Sequence, residues 1–149
     1  MKNKKQKNII MICVIVLIVL VVLVIKVLDM KQESDELSLR KHKMGFVTEA
    51  QVLYKTAVNK YEEGSKYYAR LNGVSCKSDF ITNEYYADGI PDGISYYVAF
   101  DESGNITKLY IYNDEYKYLK EGTKMEIDDF VIEELESVGN YTLTCEEIE

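Results

Sequence analysis

The stretch Ile9-Ile-Met-Ile-Cys-Val-Ile-Val-Leu-Ile-Val-Leu-Val-Val-Leu-Val-Ile25 fixes the architecture of this 149-residue chain. Its seventeen apolar residues run without interruption, and Lys26, Val27 and Leu28 bring the segment to twenty. At about 1.5 Å per helical residue, such a segment spans the roughly 30 Å hydrocarbon core of a bilayer. The run therefore predicts a transmembrane helix over residues 9–28. A cleavable signal peptide fits less well, because Lys26-Val-Leu-Asp-Met-Lys31 holds no small-x-small cleavage site. A buried core helix fits less well still, since it would rarely be apolar on every side. Lys26 can carry its ammonium to the interface on its aliphatic stem.

Residues 1–8 contain Lys2, Lys4, Lys5 and Lys7 and no acid. Positive flanks stay in the cytoplasm, so this basic tail places residues 29–149 on the far side of the membrane. Arg40, Lys41 and Lys43 oppose that orientation weakly, being more distant and mixed with acids. All 25 Asp and Glu lie after residue 28, with 13 of the 18 Lys and Arg, so residues 29–149 carry a formal charge of −12. Such a field excludes nucleic acid as a partner, because binding phosphates requires clustered positive charge.

Beyond the membrane, residues 29–45 read as a polar stalk, either a solvated helix continuing the first or a flexible linker, with Gly45 as the expected bend. Residues 46–149 suffice for one modest core and read as one extracytoplasmic domain. Phe46, Ala50, Leu53, Ala57 and Tyr61, flanked by Val47, Tyr54 and Val58, form one face of an amphipathic helix that stops at Gly64. Strands follow at Lys66-Tyr-Tyr-Ala-Arg-Leu71, Ile94-Ser-Tyr-Tyr-Val-Ala-Phe100, Ile106-Thr-Lys-Leu-Tyr-Ile-Tyr112 and Tyr116-Lys-Tyr-Leu-Lys120. Asp101-Glu-Ser-Gly-Asn105 makes a hairpin turn, Asn113-Asp-Glu115 a second turn, and residues 83–93 a loop. Residues 127–135 have helical spacing, and Tyr141-Thr-Leu-Thr-Cys145 alternates as a last strand. The expected class is α+β: a long amphipathic helix packed on a small antiparallel meander sheet, with a short helix before the last strand.

Phe46-Val-Thr-Glu-Ala50 and Val52-Leu-Tyr-Lys-Thr-Ala57 resemble the helix of pilin-like surface proteins of Gram-positive bacteria. Tyr96-Tyr-Val-Ala-Phe-Asp-Glu-Ser-Gly-Asn-Ile-Thr-Lys-Leu-Tyr-Ile111, followed by Tyr116-Lys-Tyr118, resembles their tyrosine-rich hairpin. The order of elements is similar to type IV pilins and pseudopilins, in which a hydrophobic N-terminal helix continues into a domain and packs on a meander sheet. Pilin precursors are cut after the Gly of a Gly-Phe-Thr-Leu-x-Glu type motif just before the apolar run. Here Lys7-Asn8 leads straight into the run, and no Glu stands within it. The resemblance thus implies the fold and a surface location rather than processing and polymerisation as a major pilin.

Cys76 and Cys145 fall in the extracytoplasmic part, where they can form a disulfide or remain two thiols. Cys13 lies in the span and reads as a small hydrophobe. The single histidine, His42, sits in the stalk, so no Ser/His or Cys/His nucleophile system is available. Asp101, Ser103 and Asn105 open like a calcium loop, but Ile106 and Tyr112 stand where that loop needs Gly and Glu. The pairs Asp128-Asp129 and Glu133-Glu134 read as helix-capping or surface acids rather than a catalytic pair. No cofactor, metal or catalytic residue is expected.

Thirteen tyrosines and no tryptophan are the outstanding feature of composition. Alternation gives one sheet face a tyrosine lining, with Tyr96, Tyr110 and Tyr112 as a candidate interaction face; the alternative role is cross-strand stabilisation of the sheet. The sequence therefore predicts a non-enzymatic, membrane-anchored accessory subunit or interaction module of a surface assembly, held by residues 9–28 and meeting protein partners. The alternative is a stand-alone anchored sensor or ligand-binding domain.

Overall fold

The apolar run and the residues on either side of it are helical in the computed structural model, which describes residues 2–77 and 89–149. Helix α1 covers Lys2–Lys60. The chain divides into two compact units, one ending at Lys41 and the other beginning at His42. In the first unit, the large apolar side chains from Ile9 to Leu28 are between 47% and 64% exposed, and no other residue of this unit covers them. The segment is long and apolar enough to cross a membrane. Residues 29–41 of this unit are also helical and exposed, which selects the helical form of the stalk over a linker.

In the second unit, Gly45 sits inside α1 rather than marking a bend. The expected apolar face is the one that becomes buried: Phe46, Val47, Ala50, Leu53 and Ala57 are at most 4% exposed. Val58, on the flank of that stripe, is exposed. The helix ends at Lys60, and Gly64 turns the chain with φ +88°.

Six strands form one antiparallel sheet in the order β2-β1-β3-β4-β5-β6. They are β1 (Tyr67–Leu71), β2 (Val74–Ser75), β3 (Ser95–Phe100), β4 (Ile106–Tyr112), β5 (Tyr116–Glu121) and β6 (Glu136–Ser137). The two-residue turn Asn72-Gly73, with φ +50° and +75°, joins β1 to β2. Both torsions are positive, as the tight hairpin turn that follows strand twist requires. Strand β2, at two residues, is too short for alternation to announce it in the sequence. Between β3 and β4, Asp101 Oδ1 accepts the backbone N–H groups of Ser103 and Asn105 at 2.9 and 2.8 Å, closing the expected turn. The register slips at Phe100, which faces Ile106 while Ala99 faces Lys108.

The α+β class holds, and the closing elements differ from the expectation. Residues 127–135 form two 3-10 turns, Ile127–Asp129 and Ile132–Glu134, rather than one helix. Phe130 breaks the run: its backbone is extended, and its ring is buried edge-on against Tyr118. The Asp129 carboxylate accepts the Glu126 N–H and closes the first turn on itself. Residues 141–145 alternate as expected but pair with no strand among the described residues, because β6 already holds the edge beside β5. Cys145 instead opens a short helix, α2 (Cys145–Ile148), so the short helix follows the last strand. Of the loop expected over 83–93, residues 83–88 lie outside the described residues; Gly89 has φ +83° and Ile94 N–H donates to Pro91 O.

Candidate functional site

The strand register divides the tyrosines between two faces of the sheet. Tyr96 lies opposite Ile111, and Val98 opposite Leu109, so these four side chains share the face covered by α1. Tyr97 lies opposite Tyr110, and Ser95 opposite Tyr112, on the outer face. The three tyrosines of the candidate interaction face are therefore separated. Tyr96 is fully buried beneath α1, stacked on Tyr68 at 5.4 Å with their hydroxyls 3.0 Å apart. It is a core residue, and the surface role expected for it does not fit this position.

Among the described residues, the register puts two strand cations on the inner face, Arg70 opposite Tyr96 and Lys120 opposite Leu109. Arg70, 6% exposed, places its guanidinium 5.1 Å from the Tyr96 ring centre and donates from Nη2 to the carbonyls of Ile90, Pro91 and Ile94 at 3.3, 2.8 and 3.3 Å. Those bonds fasten the 90–94 segment to β1. Its closest carboxylate among the described residues, exposed Asp92, is 4.0 Å away. An isolated Arg within a strand gave no signal of this role in the sequence.

On the outer face, Tyr67, Tyr97 and Tyr110 form a half-buried row across β1, β3 and β4, with ring centres 6.0 and 5.6 Å apart. Burial pushes the Tyr97 hydroxyl pKa up, and Tyr67 and Glu121 add to the rise. Beyond this row the face is covered. Residues 138–149 lie over Ala69, Leu71, Cys76 and Tyr112, bringing in Val138, Tyr141, Leu143, Cys145 and Ile148. Tyr112 is 4% exposed; its hydroxyl lies 3.3 Å from both the Leu143 carbonyl, to which it donates, and the Leu143 N–H, which it accepts. Tyr110 alone of the three candidate tyrosines remains partly open. Cys76 and Cys145 are joined, with Cα atoms 5.3 Å apart, and the Lys77 N–H donates to Glu149 Oε1 at 2.8 Å.

A cleft of about 150 Å³ opens where this cover meets the β4–β5 turn, lined by Asn72, Ser95, Tyr112, Asn113 and Tyr141 among others. Its polar groups are largely engaged: Ser95 Oγ accepts the Asn72 N–H, and Asn113 Oδ1 accepts the N–H groups of Glu115 and Tyr116. Burial, with Tyr112 next in effect, pushes the Tyr141 pKa up to about 12.

Two of the acids singled out in the sequence, Asp101 and Asp129, close local turns. Asp101 is held below the usual carboxylate range, first by the Asn105 side-chain amide and then by backbone N–H groups. Its Oδ2 accepts Asn105 Nδ2 at 3.0 Å, so the carboxylate is occupied by the turn that a calcium ion would have to rebuild. Glu134 pairs with Lys120, and Glu136 with Lys117 at 3.7 Å, tying the 132–137 segment to β5. Asp128 and Glu133 are exposed. On α1, burial raises the Glu49 pKa, and His42 is exposed. Among the described residues no group of three or more His, Cys, Asp or Glu could hold a metal ion. The sheet thus presents a partly open aromatic row with charged neighbours at Lys108 and Glu121.

Comparison with protein-family models, curated proteins and solved structures finds no match for this chain.

Proposed function

We infer that the chain is a single-pass membrane protein, with its N-terminus in the cytoplasm and residues 29–149 outside. Its role is that of a non-enzymatic, pilin-like accessory subunit or interaction module of a surface assembly. The observation that carries this reading is the helix Lys2–Lys60. One part is apolar on all sides and uncovered, and another supplies the buried stripe of an α+β domain. A soluble protein would expose that apolar area to water at a cost of roughly 25 cal/mol per Å², which a bilayer removes. The cystine is consistent with an oxidising compartment, and the basic residues 2–7 with a cytoplasmic N-terminus. The outer tyrosine row supports a contact function, since tyrosine supplies rigid amphipathic area at low entropic cost.

The test is an immunoblot of membranes and sheared surface material from untreated cells, alongside one of intact protoplasts treated with protease. Full-length chain in the membrane fraction of untreated cells, and digestion of residues 29–149 when intact protoplasts meet protease, are the expected results. A domain protected from external protease would reverse the orientation. Chain shortened at its N-terminus and recovered in sheared fibres would make it a processed filament subunit instead.

A further inference from the structure

Residues 138–149 are a cover of unusual construction. What lies beneath them is fully buried: Ala69 at 0%, Leu71 at 3%, Cys76 at 3% and Tyr112 at 4%. No residue of the cover is itself buried, because Tyr141, Leu143, Cys145 and Ile148 are half-exposed and alternate with exposed neighbours. Within the cover the backbone bonds are local, Tyr141 N–H to Val138 O at 3.0 Å and Glu147 N–H to Thr144 O at 3.2 Å. Among the described residues, its attachments to the sheet are the Val138 N–H to Glu115 O at its base, the Tyr112 hydroxyl on Leu143, the Tyr141 ring set edge-on to Tyr112 and 5.2 Å from Lys117 Nζ, the Lys77–Glu149 contact and the disulfide. Gly139, at φ +56°, stands at the point where the cover leaves the sheet edge. The main core, by contrast, is built on the opposite face and contains none of these residues.

We propose that residues 138–149 form a redox-gated strap: reduction of Cys76–Cys145 releases the strap and bares the outer sheet face, while the sheet and α1 stay folded. The reductant is an external dithiol. Its thiolate attacks the sulfur of half-exposed Cys145, and Cys76 leaves as a thiolate that takes up a proton. The second thiol of the reductant then displaces Cys145 from the mixed disulfide. Two electrons and two protons pass to the cystine, and the reductant ends as its own disulfide. The opened face joins Ala69, Leu71 and Tyr112 to the row Tyr67, Tyr97 and Tyr110, enlarging a partly open aromatic patch into a continuous one. The inference stands on packing alone and does not depend on membrane orientation or on a pilin-like role.

Hydrogen exchange read by mass spectrometry on the full chain in detergent micelles tests it, before and after complete reduction with dithiothreitol. Amides of Tyr141, Leu143, Thr144 and Glu147 are expected to exchange at least about tenfold faster after reduction, with β3 and β4 unchanged, as a local opening requires. A Cys76→Ser/Cys145→Ser double variant should show the same pattern without reductant, and tetranitromethane should then nitrate Tyr112 while Tyr96 and Tyr68 stay unreactive. Unchanged strap protection after complete reduction overturns the proposal. So does a loss of protection in β3 and β4 equal to that in the strap, which would make the disulfide a support of the whole domain. Should the double variant fail to fold, the reduced wild-type chain decides between these outcomes.

Discussion

Replacing Leu53 by Ala should destabilise the second unit far more than replacing Val58, five residues further along the same helix. Leu53 is 0% exposed and sits in the main core, whereas Val58 is 48% exposed. Truncating a buried leucine removes its transfer free energy and leaves a cavity, at about 3–5 kcal/mol. The neighbours at this level, Ala50 and Ala57, are too small to fill the gap by changing rotamer. For a domain near a hundred residues, each kcal/mol lowers the melting temperature by roughly 4 °C, so a fall on the order of 12–20 °C follows. Val58→Ala removes a solvated side chain and raises helix propensity, and should change stability by less than about 0.5 kcal/mol. Near-ultraviolet circular dichroism of the full chain in detergent reads the transition directly, because the chain has 13 tyrosines and no tryptophan. Equal melting temperatures for the two variants would refute the assignment of the 46–57 stripe as the inner wall of the domain.

Three further outcomes are expected. Gly104→Ala should cost about 2–3 kcal/mol in a chemical denaturation series, since φ is +82° and a Cβ would lie 2.5 Å from Tyr61 Cε1, forcing that ring off Phe100. Tyr54→Phe should cost about 1–2 kcal/mol in the same series, because it removes the 2.7 Å donor to the Met125 carbonyl while leaving the ring in place. In alkali, Tyr118 and Tyr141 should titrate near pH 12, as followed by tyrosinate absorbance. Burial raises both values, with Glu133 adding to Tyr118 and Tyr112, Glu147 and Glu121 to Tyr141. Since the folded state holds these protons more tightly than an unfolded chain does, their stabilisation is complete below pH 10 and is lost as the pH rises from 10 towards 12. Ordinary titration of both residues near pH 10 in the folded protein would contradict their placement.

Elements whose signal is local were legible in the sequence; those decided between elements were not. The stripe Phe46, Ala50, Leu53 and Ala57 needs only a period of 3.6 residues to be read, and it is the stripe that is buried. The β3–β4 hairpin needs only two alternating runs and a turn containing Gly104. Alternation within β3 and within β4 was also legible, but not which tyrosine of one strand meets which of the other. That choice is made by the turn and by the slip at Phe100, and it sends Tyr96 to one face and Tyr110 and Tyr112 to the other. Residues 141–145 show a related limit. Alternation reports which side chains turn inward, and Tyr141, Leu143 and Cys145 do so. It carries no information on whether a neighbouring backbone is free to pair. The pairing of Cys76 with Cys145 was open at the level of residue type and closes only when the segment is laid across β1 and β4.

The excess of tyrosine over phenylalanine follows from how the irregular segments are held. Segments without ladder bonds still carry backbone carbonyls that need donors when they pack against a core. Tyr54, projecting from α1, donates to Met125 O; Tyr118, from β5, donates to Val131 O; Tyr112, from β4, donates to Leu143 O. Each ring belongs to a regular element, and each hydroxyl reaches a segment that lacks regular pairing at that point. A phenylalanine in any of these places would fill the same volume and leave the carbonyl without that donor. Tryptophan's donor sits on the side of a larger ring system rather than at its tip, so it could not span from the sheet to an overlying segment in the same way. These three tyrosines are therefore first a solution to packing the turns at 125–131 and the strap at 138–149. Among the described tyrosines, Tyr67, Tyr97 and Tyr110 instead touch one another at the open end of the outer face, where burial is partial.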